Sequence, residues 1–454
     1  MMPIAAVATA AGAAGICVVR VSGEGALELG DRLVADTAPK PSQRAAGTFF
    51  HTAILHPLTR EPIDDALLLV FRAPHSFTGE DTLEIQGHGG GVPSRRLLDA
   101  VLAAGAQLAA PGAFTQRAFL NGRLDLTQAE ALCDFIQSRT DRAAQVARAQ
   151  LDGSLGLRVA ACYEAVTAVC AEVEHLLDFD EGELPAHFGQ AAAARVSSLA
   201  DDLAHLAESW QTGRLLRDGA LVVISGRPNA GKSSLLNALL GWNRAIVHET
   251  PGTTRDAIEA GYALNGIPLR LMDTAGLRET GDAVENEGID RARDLMRQAD
   301  LNLCLIDCSV PSTDDADESQ TLATLSASDT IVGFSKSDLP PVRSVTLPSG
   351  LPSVHFSAKT GAGLSELRDV LATKLGADRE PDGPTVVSLR QVTELREALI
   401  QTRAASLALA TSGDQLVIAA GHLRTAAEAL GRIIGRVYSD DLLDAIFSRF
   451  CVGK

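Results

Sequence analysis

Apolar and polar positions follow different rhythms along the chain, and each change of rhythm marks a change of architecture. Up to about Leu120 the apolar runs are short and bounded by turn residues. Gly15-Ile-Cys-Val-Val-Arg-Val-Ser-Gly23, Ala66-Leu-Leu-Leu-Val-Phe71 and Thr82-Leu-Glu-Ile-Gln86 predict strands, and Pro93 to Ala104 predicts a helix. Residues 1–120 therefore read as an α+β domain. From 121 to 213 apolar residues recur at helical spacing, as in Ala131, Leu132, Phe135 and Ile136, broken only by Asp178-Phe-Asp-Glu-Gly-Glu-Leu-Pro185. Around Gly219 the texture switches to continuous apolar runs separated by helical stretches. Ala220–Ser225, Ile267–Asp273, Leu301–Asp307, Thr330–Ser335 and Ser353–Phe356 predict a parallel sheet covered on both faces, so 214–378 reads as α/β. After the turn-rich Asp378-Arg-Glu-Pro-Asp-Gly-Pro384 the pattern is helical again through 379–454. Two separate helical domains, or one split by an inserted α/β domain, both fit; the second is preferred because the ends of a globular insert often lie close together.

Composition narrows the partners. The 454 residues exceed a single core, and 40 basic against 57 acidic side chains leave a net charge of −17, which repels nucleic acid unless a local patch or a partner intervenes. Seven cysteines, scattered and without a Cys-x-x-Cys pair, argue against a disulfide framework or a zinc site and suit a reducing cytoplasm. Met1 to Val19 lack charge but have no basic segment before them, so they read as a buried strand and turn rather than a leader. No other segment reaches the roughly 18 continuous apolar residues of a membrane span. The expectation is a cytoplasmic protein with no membrane.

The chemistry is written most clearly between 226 and 359. Gly226-Arg-Pro-Asn-Ala-Gly-Lys-Ser233 follows an apolar strand and opens a helix, the context a phosphate-binding loop needs. Backbone N–H groups of Asn229, Ala230, Gly231, Lys232, Ser233 and Ser234 are expected to surround the phosphates, with the Lys232 cation on them and the Ser233 hydroxyl on Mg²⁺. Gly252-Thr-Thr-Arg-Asp256 offers Thr254 as a second Mg²⁺ ligand beside Thr253. Asp273-Thr-Ala-Gly276, with Thr274 and Ala275, ends a strand where the carboxylate holds the metal through water. In Ser335-Lys-Ser-Asp338 the Asp338 carboxylate can accept two hydrogen bonds from guanine, which adenine cannot offer, with Lys336 beside it. Ser357-Ala358-Lys359 forms a fifth signature, and the set resembles that of translation-factor-related GTPases. That group usually carries Asn where this chain has Ser335, so the amide that braces base and loop is missing and weaker nucleotide affinity is expected. Leu277 stands where Ras-like proteins place a water-orienting glutamine, so that task falls to Glu285 or to a cation; Glu285 also reads as a solvated face residue.

The outer segments narrow the resemblance. Ser76-Phe-Thr-Gly-Glu-Asp-Thr-Leu-Glu-Ile-Gln-Gly-His-Gly-Gly90, Pro111-Gly-Ala-Phe-Thr-Gln-Arg-Ala-Phe-Leu-Asn121, Ser439-Asp-Asp-Leu-Leu-Asp444 and the terminal Phe450-Cys-Val-Gly-Lys454 resemble the tRNA uridine 5-carboxymethylaminomethyl modification GTPases, the MnmE or TrmE family, over essentially the whole chain. The resemblance implies an N-terminal folate-binding and dimerisation domain, a split helical domain and an inserted P-loop G domain in a homodimer. It also implies a flavoprotein partner (MnmG, or GidA), in a heterotetramer or larger complex, that brings FAD, NADH and much of the tRNA surface, in keeping with the acidic charge. The implied reaction adds a carboxymethylaminomethyl or aminomethyl group at C5 of the wobble uridine, using a one-carbon unit from 5-formyl- or methylene-tetrahydrofolate with glycine or ammonium.

Residue by residue, the resemblance places folate contacts at Arg20, Glu84, Arg123 and Lys454, although each also reads as a surface ion pair or strand end. A glutamate suits pterin N–H donors and cations suit a glutamate tail. It places a K⁺ ion at Asn229 with the loop of His248, Thr250 and Thr253, and water orientation at Glu285. It sends the C-terminal tail toward the folate, making Cys451 a catalytic candidate beside the Lys454 cation; the plain alternative is a small buried hydrophobe. Ala8-Thr-Ala-Ala-Gly12 departs from the family's Pro- and Gly-rich form. Other classes that share the G motifs are an RNA-binding regulatory GTPase of ribosome assembly, which would append a basic module not visible here, and a structural dimer switch.

Overall fold

A computed structural model describes residues 1–177, 188–242, 260–273, 295–311, 322, 325–378, 383–411 and 415–453. The chain divides into two compact units. One comprises Met1–Cys133, Gln150–Ala193 and Ala404–Lys454, the other Asp134–Ala149 and Ala194–Arg403.

The first unit is organised on a six-stranded sheet: β1 (Ile4–Val7), β2 (Ile16–Ser22), β3 (Thr48–Leu55), β4 (Pro62–Phe71), β5 (Thr82–His88) and β6 (Gln107–Leu108), in the order β3-β4-β5-β2-β1-β6. All neighbours are antiparallel except β1 and β6. Strand period two sends Cys17, Val19, Val21, Leu68, Val70, Leu83 and Ile85 to one face. There they pack with α1 (Ala26–Asp31) and α2 (Gly91–Ala103) into one core. α2 starts two residues earlier than its sequence predicts, because Gly90 takes φ 104 and Pro93 falls in the first turn, where an N–H has no intrahelical partner to lose.

The opposite face carries Arg20 and Glu84 and is covered at one end by Phe114 on α3 (Ala113–Leu120), which packs with Ile4 and Ala6. Helices follow in α4 (Leu126–Gln137), α5 (Asp141–Leu151), α6 (Ser154–Leu177) and α7 (Phe188–Glu208). α6 is long and apolar enough to cross a membrane, and Val159, Cys162, Val166, Val169, Cys170 and Val173 form a buried stripe along one face of it.

The second unit holds the other six-stranded sheet: β7 (Ala220–Gly226), β8 (Ala260–Leu264), β9 (Ile267–Asp273), β10 (Leu301–Asp307), β11 (Thr330–Ser335) and β12 (Ser353–His355), in the order β12-β11-β10-β7-β9-β8. The five strands expected from apolar runs are all present and parallel. β8 is an addition, an antiparallel edge strand that the sequence pattern passes over. It turns into β9 through Asn265 and Gly266, both at positive φ, the two-residue hairpin that Asn-Gly favours. α8 (Trp210–Asp218), α9 (Lys232–Trp242) and α10 (Leu364–Leu375) accompany this sheet. The segment entering α5 is fastened to the β8–β9 hairpin. Thr140 Oγ1 donates to Gly266 O at 2.6 Å, and Arg142 Nη1 donates to Asn265 O at 3.0 Å and Ala377 O at 2.7 Å.

The chain closes with α11 (Leu389–Ala410), α12 (Leu416–Ile434) and α13 (Asp440–Phe447). α13 begins as its Ser-Asp-Asp sequence dictates: Ser439 Oγ accepts from Leu442 N–H, and Asp440 and Asp441 sit against the positive end of the helix. Phe447 and Phe450 bury with Phe119 and Leu126, so the C-terminus of the chain joins the first unit.

Candidate functional site

Two groups of residues carry the chemistry, one in each unit. In the second unit the described phosphate-side groups lie at the carboxyl ends of parallel strands, where a doubly covered sheet leaves its crevice. β7 ends at Gly226, whose φ of 140 and close approach to the Leu305 carbonyl, 2.5 Å from where a Cβ would stand, admit no side chain. Asn229 and Gly231 also take positive φ, at 63 and 92. Such alternation turns successive N–H groups inward as an anion nest. Ala230 is buried, Ser233 and Ser234 stand exposed at the first turn of α9, and Lys232 is tucked in, its ammonium donating to Gly226 O and Arg227 O at 2.9 Å each. Ser233 Oγ donates to Asp273 Oδ2 at 3.1 Å, bringing together one expected Mg²⁺ ligand and the carboxylate expected to hold the ion through water. Oxygen donors of this kind fit a hard divalent ion.

The base side of the site is formed beyond β11 and β12. Ser335 is 5% exposed, and its hydroxyl donates to Ile306 O at 3.3 Å. Lys336 takes φ 58, and its ammonium meets Asp307 Oδ2 at 2.6 Å. Asp338 is exposed, and a hydrogen bond from Ser357, aided by the Lys359 and Lys336 charges, holds its carboxyl below the ordinary range. It is therefore ionised and acceptor-only, as a partner for guanine must be. Ser357 is fully buried, Ala358 half-buried and Lys359 exposed. Asp307 was not singled out from sequence; a carboxylate ending an apolar strand in an α/β sheet is the signal that marks it.

In the first unit Arg20 and Glu84 face each other across β2 and β5, with Nε and Nη2 of the arginine on the single oxygen Oε1 at 2.9 and 2.8 Å. Two rings flank the guanidinium, Phe77 at 5.6 Å and Phe114 at 5.7 Å, neither foreseen from sequence. Arg123 is exposed, and its Cγ lies 3.2 Å from where a Gly79 Cβ would stand, while Asn121 Nδ2 donates to Thr78 O at 2.8 Å. Arg20 and Arg123 thus both reach the Ser76–Gly79 loop. The C-terminal tail arrives at the same strands. Gly453 takes φ 93 and lies against Val7 and Ala8 with no room for a Cβ, one residue beyond Ala6, the partner of Arg20 in β1. Cys451, two residues earlier, is the exposed one of the seven cysteines, which removes the buried-hydrophobe reading.

A further pair links the neighbouring strands β4 and β5. Asp64 accepts from the His88 backbone N–H at 2.7 Å and sits 2.6 Å from His88 Nδ1. The hydrogen bond to Asp64 raises the His88 pKa; burial pushes the Asp64 carboxyl up, and its bonds to His88 prevail and hold it low. His248, Thr250, Thr253, Thr254, Thr274, Ala275, Gly276, Glu285 and Lys454 lie outside the described residues.

Comparison with known proteins identifies the family. A family model described as the MnmE helical domain matches residues 126–451, and one described as the GTP-binding protein TrmE N-terminus matches residues 3–123. Among curated proteins, those of Geobacter metallireducens, Heliobacterium modesticaldum and Symbiobacterium thermophilum are each 42% identical. Each match spans 99% of both chains, and all three are named tRNA modification GTPase MnmE.

Proposed function

The chain belongs to the MnmE family of tRNA modification GTPases, and from that premise we propose how its parts divide the work. It is a GTPase enzyme of tRNA modification. GTP is held with its phosphates in the Gly226–Ser233 loop and its base at Asp338. The observation that carries this assignment is the 3.1 Å contact of Ser233 with Asp273, which unites the P-loop and the strand-end carboxylate. Lys232 exchanges the carbonyls of Gly226 and Arg227 for phosphate oxygens, and the nest amides of 229–234 add further donors. Ser233, Asp273 through water, and Thr254 would hold Mg²⁺, and Asn229 with the loop of His248, Thr250 and Thr253 would hold K⁺. When bound, these ions neutralise charge that develops on the phosphates. Glu285 orients the attacking water.

The second chemistry belongs to the N-terminal domain, 1–120. Arg20, Glu84 and Arg123 bind a 5-formyl- or methylene-tetrahydrofolate, Glu84 offering its Oε2 to pterin N–H groups and Phe77 a face for the ring, with Lys454 beside the tail. Cys451 reaches the one-carbon unit; what supports this is the seating of Gly453 on Val7 and Ala8, next to the strand pairing of Arg20. The helical domain is made of 121–213 and 379–454, with 214–378 as an inserted G domain. The protein acts in the cytoplasm as a homodimer with the flavoprotein MnmG, which supplies FAD and NADH. The product carries a carboxymethylaminomethyl or aminomethyl group at C5 of the wobble uridine. Mass spectrometry of tRNA nucleosides from a strain lacking this chain tests the reading: loss of the 5-substituted uridine is expected, and its persistence would overturn the assignment in favour of a GTPase that binds RNA without modifying it.

A further inference from the structure

Serine in place of asparagine at the head of the guanine signature leaves a structural question. The Ser335 hydroxyl is a single carbon removed from the backbone, is buried at 5% exposure and is committed to the Ile306 carbonyl. It does not span to the base as an amide would. Yet the next residue holds a demanding shape: Lys336 is at φ 58, a region that a residue with a Cβ keeps only when its surroundings fix it. What fixes it comes from the neighbouring strand. Asp307 stands opposite Ser335 in the β10–β11 register, and its Oδ2 lies 2.6 Å from the Lys336 ammonium.

Asp307 is itself held. Its Oδ1 accepts from Ser309 N–H at 2.9 Å and from Ser309 Oγ at 2.6 Å, and the residue is 8% exposed. Burial pushes its carboxyl up, but the Lys336 and Ser309 donors prevail and hold it low, so it stays ionised. The loop it grips runs directly to the base-reading group. Leu339 N–H donates to Lys336 O at 3.0 Å and Ser337 N–H to Phe356 O at 3.1 Å, so the orientation of Lys336 sets where Asp338 points. The return of the loop is tied to the same strand end, with Val342 N–H donating to Cys308 O at 2.7 Å.

We infer that Asp307 is a positioning residue for guanine recognition: through its ion pair with Lys336 it braces the Ser335–Asp338 loop, taking over in this chain the task that an asparagine amide performs in the usual signature. The inference rests on Ser335–Asp338 being the guanine pocket. It replaces the expectation of weak nucleotide binding with one of binding that depends on Asp307.

The test is a two-by-two set of full-length variants, Asp307→Asn and Ser335→Asn, alone and combined, followed by release of a fluorescent GDP and by competition with IDP, which lacks the amine that gives Asp338 its second hydrogen bond. Asp307→Asn is expected to speed GDP release about tenfold, since a charged hydrogen bond is lost, and to shrink the preference for GDP over IDP. Ser335→Asn in the otherwise unaltered chain changes release less than about twofold, whereas in the Asp307→Asn background it restores most of the loss. Additive effects overturn the inference. So does an Asp307→Asn protein that melts lower yet keeps the GDP-to-IDP preference, because that is a merely structural role. Should Asp307→Asn not fold, Ser309→Ala loosens the same carboxylate and should speed release about threefold with the apoprotein melting point kept; unchanged release overturns the inference. Asp338→Asn separates the two levels: if it leaves GDP preferred over XDP, the pocket assignment has failed rather than the brace.

Discussion

Gly453→Ala tests whether the seat of the C-terminal tail matters to modification. At φ 93 the backbone lies where a side chain is disfavoured, and the new Cβ would overlap the Val7 carbonyl oxygen and come within 2.8 Å of Ala8 Cα. Both neighbours are backbone at the end of β1, where Ala8 N–H donates to Val18 O at 2.7 Å, so they have little freedom to retreat. The left-handed conformation costs a residue with a Cβ about 1–2 kcal/mol. Overlap with fixed backbone adds about 1 kcal/mol or more. The tail relieves about 2–3 kcal/mol of strain by leaving its seat, which lowers the docked population roughly 30- to 150-fold. If Cys451 works from the docked tail, tRNA modification with the flavoprotein partner and folate falls by a similar factor, while phosphate release from GTP and the melting temperature stay near those of the parent. Modification at the parental rate by a well-folded Gly453→Ala protein would refute the reasoning. Equal loss of both activities would place the damage in the fold.

Cys451→Ser should spare GTP hydrolysis and abolish modification in the same paired assay; normal modification would leave the thiol without a chemical role. GTP hydrolysis at saturating nucleotide should run faster in K⁺ than in Na⁺, given the K⁺ ligand proposed at Asn229 and Leu277 in place of a glutamine, and equal rates would remove the ion from the site. The His88–Asp64 pair gives a pH dependence of known sign. The raised histidine contributes stability below its unfolded pKa of about 6.5 and loses it as pH rises through the folded value. The lowered Asp64 contributes above its own unfolded pKa of about 3.9 and loses this as pH falls through its folded value. The melting-point gap between parent and His88→Ala should therefore be wider at pH 5.5 than at 8.5, and a constant gap would show that the ring does not titrate against Asp64.

What the sequence made legible was whatever depends on neighbours along the chain. The strand before Gly226 reads directly because all four of Leu221–Ile224 are buried, and the loop after it because its spacing encodes its shape. β8 escaped because Ala-Gly-Tyr-Ala-Leu is no continuous apolar run, and an edge strand needs none; Asn265-Gly266 was the missed cue. The folate candidates came through resemblance, but the rings of Phe77 and Phe114 around Arg20 depend on the sheet and α3 meeting, which no local pattern states. Asp307 could be marked as a strand-end carboxylate, but its partner could not: it stands opposite Ser335 on another strand.

The clasp on the β8–β9 hairpin gives the second unit a load path. β9 is a hydrogen-bonded rod of about 20 Å at strand rise, with Asp273 at one end and the Asn265-Gly266 turn at the other. Arg142 holds that turn by the Asn265 carbonyl while also bonding the Ala377 carbonyl, and its Cβ stands 2.6 Å from where a Gly266 Cβ would be, a fit with almost no slack. A push delivered at the metal-side carboxylate is therefore borne along a stiff member into the first residues of α5 rather than absorbed in a loop. Lengthening the hairpin by even one residue would put play into that joint.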